Sequence, residues 1–221
     1  METLNNRSKQ MVFNRARQII LQPKVAWEEI KNEEISVSNL LTSYVLPLAL
    51  IPAIASFIGF GLIGFNAGIF GRSASLAWGI NQALTIFVGT FVGILISSWV
   101  ISQLAPKFGI TLSIANAVKL VAYSYTPSLL AGVFYLIPAL TALVVVGSIY
   151  SLYVLYLGFQ PITNVSEDQK TNYFLLNLVS MVAIFIVLFY CAWNLIYNHR
   201  LSRLSGCWFI VDRFNLNHLW F

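Results

Sequence analysis

Apolar positions gather in five long blocks, at about 40–65, 79–104, 114–136, 138–159 and 173–197, with short polar segments between them. At about 1.5 Å of rise per helical residue, each block can cross roughly 30 Å of hydrocarbon. The pattern predicts an all-α polytopic membrane protein with five transmembrane helices. Between the third and fourth blocks, FYLIPAL leaves almost no loop, and Pro138 suits a helix start, so these two spans are expected to form a tight antiparallel hairpin. Ahead of the first block, Val12, Ala16, Ile19 and Ile20 share one helical face, with Arg15, Arg17 and Gln18 elsewhere. This predicts an amphipathic helix lying at the headgroups or packed under the bundle. Pro23 then suits the start of a second short helix carrying Trp27 and Ile30. The expected organisation is residues 1–38 as amino-terminal interfacial helices, 39–197 as the membrane domain and 198–221 as a tail.

Composition agrees with this reading: of 221 residues, 58% are hydrophobic and only 10% charged, against roughly a quarter charged in a soluble domain. The lipid bilayer is thus the first expected partner. Six basic and five acidic residues precede the first span without an apolar core, so no cleavable signal peptide is expected. Cys191 and Cys207 give no disulfide framework.

Charge then sets orientation, because cytoplasmic segments carry an excess of Lys and Arg. With the amino end inside, Arg7, Lys9, Arg15, Arg17, Lys24, Lys31, Lys107, Lys119 and Lys170 lie on the inner side and Arg72, Arg200, Arg203 and Arg213 outside. The expectation is a cell-membrane protein, plasma or inner membrane, with a cytoplasmic amino end and an extracytoplasmic carboxyl end. The basic residues form no patch with interleaved aromatics, so nucleic acid is not an expected partner.

Candidate chemistry is sparse. Every carboxylate falls outside the expected spans, and His199 and His218 lie in the tail. No proton relay, intramembrane protease site, metal site or cofactor site can be assembled at membrane depth from these positions, so an enzyme is not expected.

Two patterns remain. Asn81, Thr85, Gly89, Gly93 and Ser97 recur every four residues and form a seam of small side chains, repeated more briefly by Gly147 and Ser151. Such a seam serves close helix packing within one chain or a homo-oligomer contact. Asn116, Lys119, Tyr123 and Thr126, spaced three, four and three apart, form a polar stripe on the third span. Lys119 is expected to snorkel to the inner interface. Pro127 removes the donor for the Tyr123 carbonyl and should kink the helix, with Asn177 and Ser180 of the fifth span as expected donors. The stripe is read either as packing around a kink or as a polar groove opening inward.

The order YSYTP, FYLIPAL and IYSLYVLYLGFQ, preceded by LQPKVAWEEI and YVLPLALIPAIASFIG and followed by GFQPITNVSEDQKTNYF, resembles the Yip (Ypt/Rab-interacting protein) family in its bacterial form, over about residues 15–197. The resemblance implies a five-span protein with a cytoplasmic amino end. Eukaryotic members of that family act in vesicle traffic and bind Rab-type GTPases, but they carry a DLYGP motif that this chain lacks, so Rab binding is not carried over. The expected function is therefore a non-enzymatic membrane-organising or adaptor protein whose cytoplasmic surface, residues 1–38 and 160–172, recruits a protein partner. The alternative is a small-solute permease or channel using the polar stripe.

Overall fold

The computed structural model describes residues 2–66, 72–184 and 186. The chain divides into two compact units, Met1–Asn177 and Leu178–Phe221, and the fold below is that of the first. Much of the expected fifth span, the tail 198–221 and both cysteines lie outside the described residues.

Helix α1 spans Glu2–Leu21 and α2 spans Pro23–Ile30, with the proline in the first turn where a missing N–H costs nothing. Ala16 and Ile19 of α1 and Ala26, Trp27 and Ile30 of α2 are buried, so both helices turn their apolar faces inward. Helix α3, Val37–Ile63, is long and apolar enough to cross a membrane. Ser36 caps it by accepting the Asn39 N–H at 3.2 Å. Two stretches of α3, Leu41–Val45 and Phe57–Ile63, widen into π-helix, and Pro47 and Pro52 stand between them. A proline removes one donor from the ladder, and π turns are one way the neighbouring carbonyls find others. Gly64, at φ 74°, ends α3. A two-residue antiparallel ladder follows, β1 (Phe65–Asn66) with β2 (Arg72–Ser73), a small departure from the all-α expectation.

Helix α4, Leu76–Leu104, continues as a 3-10 turn through Phe108 and is a second span by length and composition. The third block does not form one kinked helix. It divides into α5 (Ile114–Ser124), α6 (Thr126–Ala131) and a 3-10 turn (Gly132–Leu136). Pro127 does not kink a continuous helix as expected: the break comes at Tyr125, leaving Pro127 in the first turn of a new helix. Pro138–Leu140 then leads into α7, Ala142–Thr163, closing the expected tight hairpin. Asn164, at φ 55°, caps α7 in the left-handed conformation, and its N–H reaches Gln160 O at 2.9 Å. A last helix, α8, begins at 167 and runs to the end of this unit at Asn177. Thus three of the five expected spans meet the criteria of length and hydropathy among the described residues.

Helices come closest where glycine replaces a side chain. A Cβ on Gly79 of α4 would lie 2.5 Å from the Gly61 Cα of α3, so the two backbones touch there. The four-residue seam behaves differently along its length. Asn81, Thr85 and Gly89 are exposed within this chain, whereas Gly93 and Ser97 are buried, and a Cβ on Gly93 would stand 3.2 Å from Tyr125 Oη. Large apolar side chains on the outer faces, among them Val88, Val92, Leu95, Val145, Val146 and Ile149, are exposed, as lipid contact requires.

Candidate functional site: the amino-terminal hairpin on the polar stripe

The polar stripe of the third block is where the amino-terminal hairpin docks. Asn116 stays exposed in the first turn of α5, its N–H held by the Ser113 hydroxyl at 3.2 Å. Lys119, Tyr123 and Thr126 are buried. Snorkelling predicted that the Lys119 ammonium would reach open interface. Instead Nζ donates to the Ile30 carbonyl at 3.2 Å and to the Glu33 carbonyl. These carbonyls lie at and just past the end of α2, where the dipole favours a cation, and the Ile30 carbonyl also accepts the Glu33 N–H at 3.1 Å. The ammonium thus ends on backbone rather than in water.

Glu33 is held twice, since its carboxylate also receives Arg15 Nη2 of α1. Arg15 Nη1 lies 3.1 Å from Glu29 Oε2 and 3.0 Å from Gln18 Oε1. One guanidinium therefore links α1 to α2 and to the turn after it.

Above Lys119, Tyr123 packs edge-on between Trp27 and Tyr44, with ring centroids 6.5 and 4.8 Å away. Thr126 Oγ1 donates to the Tyr123 carbonyl at 2.7 Å and lies 2.8 Å from the Tyr44 hydroxyl. The carbonyl that Pro127 leaves without its helical donor is therefore served locally by the preceding threonine, where the sequence suggested the fifth span. Of the two expected donors, Asn177 is buried and Ser180 belongs to the second unit. The other orphan at the break, the Ser128 N–H, donates to Ser151 Oγ of α7 at 2.9 Å. Gly147 lets Ala131 approach beside it, a Cβ there standing 2.3 Å from the alanine methyl.

Two contacts tie the hairpin to α7, and sequence reasoning missed both. Trp27 Nε1 donates to the Val154 carbonyl at 3.0 Å, and its ring fills the space that Gly158 leaves, where a Cβ would stand 2.4 Å from the indole. The Tyr150 hydroxyl donates to the Ile20 carbonyl at 2.7 Å. The readable signal for the first was a tryptophan three residues before Ile30 together with a lone glycine in LYLGFQ. Nothing in the sequence alone pairs positions 127 residues apart.

Two grooves flank α1. The first, about 480 Å³, is lined by Arg15, Gln18, Glu33, Asn39, Ser43 and Tyr44, with Tyr123 also contributing. Val12, Ile35 and Leu40 line it too, so the groove is of mixed character, and of the stripe it is Tyr123 that borders it, while Lys119 and Thr126 are engaged with protein atoms. The second groove, about 440 Å³, is apolar apart from Arg17 and is bounded by α1, α3 and α6.

The Yip1 domain family matches residues 17–193. The inner membrane protein YohC of Escherichia coli K12 is 30% identical over 156 residues, covering 68% of this chain and 80% of that protein. YohC of Escherichia coli O6:H1 matches to the same extent. No solved structure matches the chain. The family match takes in α2, the stripe and α7, the elements that build the docked hairpin, and the chain belongs to the Yip1 domain family of integral membrane proteins.

Proposed function

We propose that this chain is a five-span, non-enzymatic membrane-organising or adaptor protein of the inner membrane. Its amino-terminal hairpin and the segment 160–172 face the cytoplasm and together receive a protein partner. One observation carries the reading: the described charged side chains concentrate on those two segments, and the hairpin that bears most of them is fixed to the bundle by Lys119, Trp27 and Tyr150. Glu28, Glu29, Glu34, Glu167 and Asp168 are exposed, as are Lys24 and Lys31. A surface already ordered before binding loses little conformational entropy when a partner arrives. The relatives' inner-membrane location supports the compartment, and the excess of basic residues on the amino-terminal side supports the orientation. Engagement of Lys119 and Thr126 by protein atoms removes most of the lining a solute path along the stripe would need.

A photo-crosslinking residue at Glu34 or Asp168 in living cells should yield a discrete protein adduct, and one at Val92 or Val146 should not. In a chain without Cys191 and Cys207, a cysteine at Ser166 should react with an impermeant maleimide only after the membrane is opened. Labelling of intact spheroplasts at Ser166 would reverse the orientation and sink the cytoplasmic-partner reading.

A further inference from the structure

The apolar groove beside α1 has a composition suited to one kind of ligand. Its walls are Val12, Ala16 and Ile20 of α1, Leu48 and Ile51 of α3, and Leu130 of α6. Leu48 and Ile51 lie about midway along α3, a helix long and apolar enough to cross a membrane, so the groove runs along a wall that lipid chains can line. It runs along α1 from Val12 to Leu21, about 13 Å of helix, and its volume of about 440 Å³ falls in the usual range of small-ligand sites.

Arg17 stands among these apolar side chains and is exposed. Among the described residues it pairs with no carboxylate, whereas Arg15, on the opposite groove, is neutralised by Glu29 and Glu33. Two arginines two positions apart therefore have different roles. Arg15 holds the hairpin together, and Arg17 offers an unneutralised cation at the rim of an acyl-sized apolar channel.

We propose that this groove is a binding site for one anionic phospholipid of the surrounding bilayer, with an acyl chain between α1, α3 and α6 and the phosphate on Arg17. Charge complementarity selects the occupant. A guanidinium matches phosphate in a bidentate fork, and a basic side chain at an anionic surface favours it over a zwitterionic one. The phosphatidylethanolamine headgroup brings its own ammonium and gains less from Arg17.

Native mass spectrometry of the purified full chain tests this, with phosphatidylglycerol and phosphatidylethanolamine of identical chains supplied in equal amounts. The expected result is a retained adduct of one lipid, predominantly phosphatidylglycerol. Arg17→Gln should lower the preference about fivefold, the factor for one basic side chain at an anionic surface. Arg17→Lys should keep most of it, and Lys24→Gln, on the exposed face of α2, should leave it unchanged. A preference that survives Arg17→Gln overturns the proposal, as does equal retention of the two lipids. Displacement of the adduct by soluble glycerol phosphate would mean that the phosphate alone binds, and a dimer without lipid would mean that a second copy covers the groove. Either outcome also overturns it.

Discussion

Lys119→Met keeps the length of the side chain and removes the ammonium, so the Ile30 and Glu33 carbonyls lose their shared donor. The Ile30 carbonyl keeps the Glu33 N–H, but a lost hydrogen bond to a charged donor costs about 1.5–3 kcal/mol, and thermal unfolding in detergent should show a loss of that order. Lys119→Arg should also destabilise, because a wider guanidinium with five donors meets a space built for a compact ammonium. An arginine variant as stable as the parent would instead mean that the ammonium reaches open interface. The spacing of Asn116, Lys119, Tyr123 and Thr126 was legible in the sequence as one face. What that face meets was not, because its partners are backbone carbonyls 86 and 89 positions away, and a carbonyl has no sequence signature. Glycines give a second contrast. Gly158→Ala would drive a methyl into the Trp27 ring and should displace α2, while nothing lies within 4 Å of a Cβ at Gly89. Gly89→Ala should therefore be neutral or stabilising by about 0.5–1 kcal/mol through helix propensity, read in the same unfolding measurement.

At the scale of elements, the third block separates two effects that a proline can have. In the middle of a helix it costs about 3 kcal/mol or more, but in a first turn its missing N–H would have had no partner anyway. Since Pro127 occupies the first turn of α6 and Thr126 already serves the Tyr123 carbonyl, Pro127→Ala should change stability by less than about 1 kcal/mol. Ser151→Ala should cost more, about 0.5–2 kcal/mol, because it removes the acceptor of the Ser128 N–H. Urea titration of both variants in one detergent checks the order, and a costlier Pro127→Ala would show that the break depends on the ring. Hydropathy located the spans and the short loop before Pro138 because burial in lipid demands long apolar runs. It could not reveal the division at Tyr125, since a discontinuous helix packed against α7 keeps the same apolar average as a continuous one.

For the molecule as a whole, the hairpin docked on the stripe bears on how the chain is made. Synthesis runs from the amino end, so Arg15, Ile30, Glu33 and Tyr44 exist before Lys119 and Thr126 emerge. A segment carrying a lysine enters hydrocarbon at a cost of about 2.5–3.5 kcal/mol when the charge lies at the centre, and partners already waiting at the membrane lower that cost. The amino-terminal hairpin thus acts as an internal receiver for a later segment, and its loss should be felt at residues it never adjoins in sequence. A chain lacking residues 2–35 should reach the membrane fraction at a reduced level, with the third block the part left accessible to protease. Adding Lys119→Leu and Thr126→Val to the shortened chain should restore that level, because a stripe without polar groups no longer needs its receiver. The same pair of changes in the full chain should instead weaken it, by removing the donors that Ile30, Glu33 and Tyr123 use.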